Sequence, residues 1–255
     1  MKYGLCAGLG KLAEAAALGF DYLEPPVNGT AALTQEDFEA KLAMARQAAI
    51  PCPVFNLLFP KTLQLLLPET TDEAIAGYLH GALRRVQLLG GRAAVFGSGK
   101  SRNRPEGMTY GEAFRRLTEV TRLTGRIASE YGVTIVIEPL NRAESNMINS
   151  MAEGAALAAA VDHPNVQLLC DSFHAAKENE PFTDVVRLGG VRHVHVATRE
   201  GRRYPLEKDG DLAALYAALK ETGYDGRISI EGKTDDMAHD APIAIALLKK
   251  LWEEM

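Results

Sequence analysis

The chain has 255 residues and a formal net charge of −5 at pH 7, which disfavours a nucleic-acid partner on electrostatic grounds. No apolar run approaches the ~20 residues that a membrane helix needs, and the first residues lack the apolar core of a signal peptide. Three cysteines, Cys6, Cys52 and Cys170, are too few for a disulfide framework, as is typical of a reducing compartment. We therefore expect a cytoplasmic protein without a membrane partner, forming one domain over residues 1–255.

Short apolar runs recur along the whole chain and predict buried strands. In chain order they are Lys2–Ala7, Tyr22–Pro25, Pro53–Leu57, Ala93–Phe96, Thr134–Glu138, Val166–Asp171, Val191–Val196 and Arg227–Glu231. Helical segments alternate with them near Lys11–Leu18, Gln35–Ala48, Thr71–Leu89, Tyr110–Tyr131, Met151–Val161, Pro181–Leu188, Asp211–Thr222 and Pro242–Glu254. Regular alternation of strands and helices favours parallel pairing. We predict an α/β fold, a single (β/α)8 TIM barrel.

The spacing of apolar residues supports the helices. In the segment Tyr110–Tyr131, apolar residues recur every three or four positions and so share one helical face; they are Phe114, Leu117, Val120, Leu123 and Ile127. Glycines follow several of the segments and are typical of left-handed helix C-caps. These glycines are Gly19, Gly90, Gly132, Gly189 and Gly223.

Four polar residues stand at or near the ends of four predicted strands. Glu138 follows VTIVI, Asp171 follows VQLLC, His195 lies in VRHVHV, and Glu231 follows RISI. The C-terminal ends of the strands form the catalytic face of a TIM barrel, so we expect these side chains to converge there. Three carboxylates and one imidazole suit a divalent ion such as Mn²⁺, Mg²⁺ or Co²⁺, with zinc as a further candidate.

Other polar residues near the predicted strand ends are less informative. His193 shares a strand face with His195 one layer deeper, where a hydrogen-bonded core histidine is expected. Glu24 ends the second strand, and it is open whether it reaches the catalytic face or caps a helix. The segment GSGKS, residues 97–101, resembles part of a phosphate loop. However, Ala94 stands where that motif requires glycine, so a nucleotide site is not predicted.

Several cations fall in loops that open onto the expected catalytic face. They are Lys100, Arg102, Arg104, Arg202 and Arg203. A neutral substrate does not need so many positive charges. Two hypotheses remain open: a substrate with a phosphate or carboxylate held by Lys100 or Arg202, or a role of these residues in solubility or a subunit contact.

The strand-end residues and their spacings resemble those of the xylose-isomerase-like barrels. Within that family the resemblance is to the ketose 3-epimerases of the tagatose and psicose type and to inosose isomerases, and its specific part is Thr134–Glu231. In those epimerases two Glu, one Asp and one His bind a single metal ion. Glu138, Asp171, His195 and Glu231 match them in order and in strand context. The resemblance therefore implies one divalent metal held by these four residues.

The resemblance also implies substrate-binding residues. Glu144 and His174 match a Glu six residues after the first metal Glu and a His three residues after the metal Asp. The family has a substrate-binding Arg six residues after the metal His. This chain has Gly201 at that position, and a one-residue shift would place Arg202 there.

The family resemblance implies an enzyme of carbohydrate metabolism. It would be a metal-dependent epimerase or isomerase acting on a ketose or related polyol ketone through an enediolate, with Glu138 and Glu231 as catalytic acid and base. The alternatives are a dehydratase or lyase of the same barrel family and, less favoured, an apurinic-site endonuclease. The small-molecule partner would be a sugar. It is open whether the chain forms a homo-oligomer.

Overall fold

A computed structural model of the protein describes residues 1–188 and 190–254. The strands of the described residues are β1 Lys2–Cys6, β2 Tyr22–Glu24, β3 Val54–Phe55, β4 Ala93–Phe96, β5 Thr134–Ile137, β6 Val166–Asp171, β7 Val191–Val196 and β8 Arg227–Ile230. The helices are α1 Leu12–Ala17, α2 Val27–Ala31, α3 Gln35–Arg46, α4 Asp72–Leu88, α5 Gly99–Arg102, α6 Tyr110–Glu130, α7 Met151–Val161, α8 Ser172–Lys177, α9 Thr183–Leu188, α10 Gly210–Glu221 and α11 Met237–Glu254.

The strands form one parallel sheet that nearly closes on itself. Their order is β2-β1-β8-β7-β6-β5-β4-β3, and each pairing in it is parallel. Between β2 and β3 the chain contributes a single parallel bridge, Pro26 to Asn56. The predicted (β/α)8 barrel is therefore confirmed. Within the described residues no helix combines the length and the apolar character required to cross a membrane.

Alternate residues along the strands face two different cores. Val54, Val95, Val136 and Leu169 form a small buried cluster, and their strand neighbours Phe55, Phe96, Ile137 and Leu168 belong to the large core. Because side chains of a strand alternate between faces, the small cluster fills the barrel interior and the large core lies beneath the helices. The strands that supply this apolar interior are β3 to β6.

The structure adds three short helices that the sequence did not predict. They are α2, α5 and α8, and each comes within a few residues of the end of a strand. Helices of four to six residues are too short to show a 3.6-residue period, which explains the omission. Helix α11 begins at Met237 rather than at the predicted Pro242, because Asp236 accepts a hydrogen bond from His239 N and caps the helix earlier.

Glycines occupy the predicted left-handed positions where the structure describes them. Gly19, Gly90, Gly132 and Gly223 have φ of 90°, 84°, 64° and 68°. The predicted cap at Gly189 lies outside the described residues. These turns return the chain to the N-terminal ends of the strands, so the loops at the opposite ends remain free to carry polar side chains.

Candidate metal centre

The four strand-end residues converge on one point at the C-terminal ends of the strands. Glu138, Asp171, His195 and Glu231 each offer one ligand atom, and these four atoms lie within 4.8 Å of one another. The first three side chains are buried, whereas Glu231 is 18% exposed. One side of the cluster is therefore accessible to a small molecule.

Glu138 is positioned by the loop after β4 as well as by its own strand. Gly97 lies against it so closely that a Cβ at residue 97 would be 2.0 Å from Glu138 Oε2. Arg102 is fully buried and donates to the backbone oxygens of Phe96 (2.8 Å) and Glu138 (2.7 Å). These contacts place the Glu138 carboxylate and tie together the ends of β4 and β5.

The ring of His195 lies between two sets of carboxylates. Its Nδ1 is 3.2 Å from Glu138 Oε1 and 3.1 Å from Glu231 Oε2. Its Nε2 donates to Glu24 Oε1 at 2.9 Å on the other side. Burial opposes protonation of this histidine, but the charges of Glu24 and Glu231 raise its pKa well above the usual value. Carboxylates therefore lie against both ring nitrogens of His195.

The two glutamates differ in their surroundings. Burial raises the pKa of Glu138, and the charge of Glu231 adds to this effect. Burial acts in the same direction on Glu231, but His195 and Arg202 outweigh it and lower the Glu231 pKa to about 2. Asn56 also donates to Glu231 Oε1 at 2.9 Å. Environments that separate the pKa values of two carboxyl groups are typical of acid–base sites.

The donor set fits a divalent cation. Three carboxylates crowd around one ring nitrogen in a largely dry site, an arrangement that costs free energy unless a positive charge offsets it. Oxygen donors in the majority favour Mn²⁺, Mg²⁺ or Co²⁺ over a thiolate-preferring ion. The predicted grouping of Glu138, Asp171, His195 and Glu231 is present in the structure, and their role as metal ligands stays a prediction.

Arg202 reaches the cluster from the loop after β7. Gly201 and Arg202 are both left-handed, with φ of 72° and 49°, and the backbone oxygen of Arg202 accepts from Lys233 N at 2.7 Å. The Arg202 guanidinium then donates to Asp171 Oδ2 at 3.2 Å and to Glu231 Oε2 at 2.6 Å. Two consecutive left-handed residues thus bring Arg202, one position after Gly201, into the site.

The two other predicted substrate contacts lie beside the cluster. His174 Nδ1 accepts from Asn141 N (3.1 Å) and stands 2.8 Å from Asn141 Nδ2, which leaves the proton on Nε2. That buried Nε2 has no hydrogen-bond partner among the described residues and lies 3.7 Å from Asp171 Oδ2. Glu144 is largely exposed and 3.4 Å from Arg202 Nη1. Both side chains are placed to meet a molecule bound at the cluster.

Three residues of the site were not predicted from sequence. Asn56 follows β3 directly, and the sequence extended that strand two residues too far, to Leu57, so its polar end went unnoticed. Asn141 orients His174 from a loop that carries no local signal. Glu24, left open from sequence, turns inward and bonds two histidines, His193 and His195.

Three of the five cations in these loops contact other parts of the protein within the described residues. Arg102 is buried and holds backbone carbonyls, and Arg203 pairs with Asp235. Arg104 donates to Met108 O at 2.6 Å. Each of these three arginines has an intramolecular partner, and the hypothesis of an anionic substrate group held by Lys100 or Arg202 stays a prediction. Arg202 contacts the candidate metal ligands Asp171 and Glu231. Lys100 lines a cavity of about 210 Å³ together with Lys61, Ser98 and Glu144.

The chain is similar in sequence and fold to several sugar epimerases and isomerases. The chain is 31% identical over 119 residues to a D-psicose 3-epimerase of Ruminiclostridium cellulolyticum, covering 46% of this chain and 41% of that enzyme. It is 27% identical over 241 residues to a putative hydroxypyruvate isomerase of Streptomyces coelicolor, covering 88% and 85%. The solved structure of a D-psicose 3-epimerase in the presence of D-fructose superposes with a TM-score of 0.86, at 21% identity over 99% of both chains.

The alignment to the psicose 3-epimerase of Ruminiclostridium cellulolyticum spans less than half of that enzyme's length. The superposed structure shares only 21% identity with this chain, so its similarity shows the fold alone. A family model described as xylose isomerase-like TIM barrel matches residues 12–251. That match covers nearly the whole chain and all four residues of the cluster. The chain therefore belongs to the xylose isomerase-like TIM barrel family.

Proposed function

We propose that the protein is a divalent-metal-dependent epimerase or isomerase of a ketose. The observation that carries the proposal is the convergence of four ligand atoms within 4.8 Å, next to polar atoms that have no partner among the described residues. His174 Nε2 offers a free proton there, and Asn56 Oδ1 offers a free acceptor. Buried polar atoms normally find partners, so a ligand rich in hydroxyl groups suits them.

Glu138, Asp171, His195 and Glu231 would hold the ion, which we take to be Mn²⁺, Mg²⁺ or Co²⁺, with Zn²⁺ as a further candidate. When bound, the ion supplies the positive charge that stabilises an enediolate of the substrate. The predicted acid and base are Glu138 and Glu231. One takes the proton from the carbon beside the carbonyl, and the other returns a proton.

The positions of the two glutamates bear on the outcome of the reaction. They follow β5 and β8, which are separated in the sheet by β6 and β7, so they approach the centre of the site from different directions. If the proton is removed from C3 of a 2-ketose and returned to the opposite face of C3, the product is the C3 epimer. If it is removed from C1 and returned to C2, the product is an aldose. The similarity to psicose and ribulose 3-epimerases supports the first outcome.

Two other activities compete with this proposal. A dehydratase or lyase would use the same enediolate and eliminate water or split a bond. An apurinic-site endonuclease of the same barrel would need extra histidine ligands. Among residues 1–188 and 190–254, the second candidate group of ligands, Cys6, Glu24 and His195, adds no histidine beyond His195. The composition of the site thus favours a one-metal carbohydrate enzyme over a nuclease.

The experiment is incubation with Mn²⁺ in D₂O with a panel of free and phosphorylated ketoses. We expect deuterium at the carbon next to the carbonyl and an epimeric ketose as product. A dehydrated or shortened product would favour the lyase, and absence of exchange with every ketose would contradict the proposal.

A Lys100→Ala variant, with Lys249→Ala as control, tests whether the substrate carries an anionic group. Charge-assisted contacts of about 1.5–3 kcal/mol predict a selective loss of roughly tenfold or more in kcat/KM for phosphorylated ketoses.

A further inference from the structure

Glu24 is a fully buried carboxylate beneath the candidate metal centre and outside its set of four ligands. Its Oε1 accepts from His195 Nε2 at 2.9 Å, and its Oε2 accepts from His193 Nε2 at 2.8 Å. The hydroxyl of Ser229 donates to the same Oε2. Three donors thus converge on the two oxygens of Glu24, and the carboxylate acts as the acceptor for all of them.

The contacts around Glu24 settle where the protons lie. Ser229 gives its proton to Glu24, so the hydroxyl of Tyr22, 2.7 Å from Ser229 Oγ, must donate to Ser229. A carboxylate has no proton to donate, so His195 carries a proton on Nε2. The nitrogen left to face Glu138 and Glu231 is Nδ1. In the chain Tyr22–Ser229–Glu24–His195 the donors on both sides therefore point toward Glu24.

The fold explains why such a network exists under only part of the site. Strands β3 to β6 fill the barrel interior with Val54, Val95, Val136 and Leu169. Strands β1, β2, β7 and β8 meet on the other side. There Gly4 leaves room for the Tyr22 ring, because a Cβ at residue 4 would be 2.1 Å from that ring. The polar half of the interior therefore supports His195 from below.

We propose that Glu24 is a positioning residue for the metal centre, fixing both the tautomer and the ring orientation of His195 so that Nδ1 faces the other three ligands. This inference rests on the proposed function. Histidine ligands in metalloproteins commonly donate their second ring nitrogen to a carboxylate, and loss of that partner weakens metal binding by about 10–100-fold.

A competing interpretation treats Cys6, Glu24 and His195 as a second metal site, because their ligand atoms also lie within 4.8 Å of one another. The separation between His195 Nε2 and Glu24 Oε1, 2.9 Å, is that of a direct hydrogen bond. Cys6 Sγ is 3.9 Å from the same nitrogen. The hydrogen bond between His195 and Glu24 already accounts for the positions of both side chains, so the hydrogen-bonded arrangement is preferred.

The test is calorimetric titration of Mn²⁺ alone into chelator-stripped wild type, Glu24→Gln and a control, Glu180→Gln. Glu180 is a partly buried glutamate that accepts a hydrogen bond from Met151 N, and it lies outside the barrel interior. We expect one Mn²⁺ per chain in all three proteins and 10–100-fold weaker binding in Glu24→Gln alone. In the Zn²⁺-loaded wild type, nitrogen-15 NMR should show the His195 proton on Nε2, with a changed signal in Glu24→Gln.

Should Glu24→Gln fail to fold, Ser229→Ala removes one donor to Glu24 and should weaken Mn²⁺ binding by a smaller factor. Equal Mn²⁺ affinity in wild type and in the folded Glu24 or Ser229 variant would overturn the inference and leave the metal centre standing. Two Mn²⁺ ions per wild-type chain, one of them lost in Glu24→Gln, would overturn it in favour of a second site. No Mn²⁺ binding by the wild type would overturn both the inference and the proposed metal dependence.

Discussion

Glu138 and Glu231 flank the same ring nitrogen of His195, at 3.2 and 3.1 Å. The proposed chemistry assigns both of them two roles, as ligands and as acid and base. A glutamine in either position keeps the shape of the side chain but cannot accept the substrate proton. We expect Glu138→Gln and Glu231→Gln each to lose more than the roughly 10²–10⁴-fold typical of a general base, since metal geometry also changes. Turnover of the ketose and circular dichroism of the folded variants measure this.

A variant at either glutamate that kept near-wild-type turnover would remove that residue from the mechanism. The control is Glu36→Gln, an exposed acidic residue in the first turn of α3. That change should leave turnover unchanged, because it touches no residue of the cluster.

Gly97 tests the position of Glu138 without altering its chemistry. A Cβ at residue 97 would lie 2.0 Å from Glu138 Oε2, so the carboxylate must move in a Gly97→Ala variant. A displacement of about 1 Å at a reacting group costs about 10²-fold in rate, and we expect a kcat loss of that order. Gly77→Ala is the matched control, because nothing lies within 4 Å of a Cβ there. Equal kcat in the two variants would show that Glu138 tolerates displacement.

At the scale of elements, the loop after β4 acts as a support for the site. The short helix α5 ends in Arg102, whose guanidinium joins Phe96 O to Glu138 O. Replacement by leucine leaves two buried carbonyl groups without these donors, each costing about 1–3 kcal/mol. We therefore expect Arg102→Leu to lower the free energy of unfolding by roughly 2–6 kcal/mol. Urea denaturation measures this loss.

The control for Arg102→Leu is Arg126→Leu, at an exposed position of α6. Surface substitutions usually change stability by less than about 0.5 kcal/mol. If the two arginine variants lost equal stability, the buried guanidinium would not be holding the ends of β4 and β5 together.

The elements also show what the sequence can predict and what it cannot. Glu138, Asp171 and Glu231 end strands whose apolar runs stop abruptly, so their placement on one face follows from local pattern alone. The contact between Glu24 and His195 joins β2 to β7, which are not neighbours in the sheet. That contact depends on the register and closure of the barrel, and these are set by packing over long sequence separations. The buried position of Arg102 likewise depends on a four-residue helix with no detectable period.

At the scale of the whole molecule, the barrel interior is divided into two halves. The apolar cluster of Val54, Val95, Val136 and Leu169 supports the fold on one side, and Glu24 and His193 replace it on the other. Buried charges and hydrogen-bonded polar groups contribute less to stability than apolar packing of the same volume. The proposed site spans both halves, because Glu138 and Asp171 lie at the ends of β5 and β6. The polar half, which lies beneath His195, is therefore the half whose stability depends most on a bound cation.

Metal binding should accordingly stabilise the entire barrel. A ligand present at 100 times its Kd contributes about 2.7 kcal/mol to the free energy of unfolding, and each kcal/mol shifts the Tm of a domain of this size by about 2–4 °C. We expect Mn²⁺ to raise the Tm of the chelator-stripped protein by about 5–10 °C. The control is Asp171→Asn, which keeps an oxygen to accept the 2.7 Å hydrogen bond from Phe173 N at the start of α8 but loses the ligand charge. A similar Tm increase in this variant, or none in the wild type, would show that the cluster does not hold the ion.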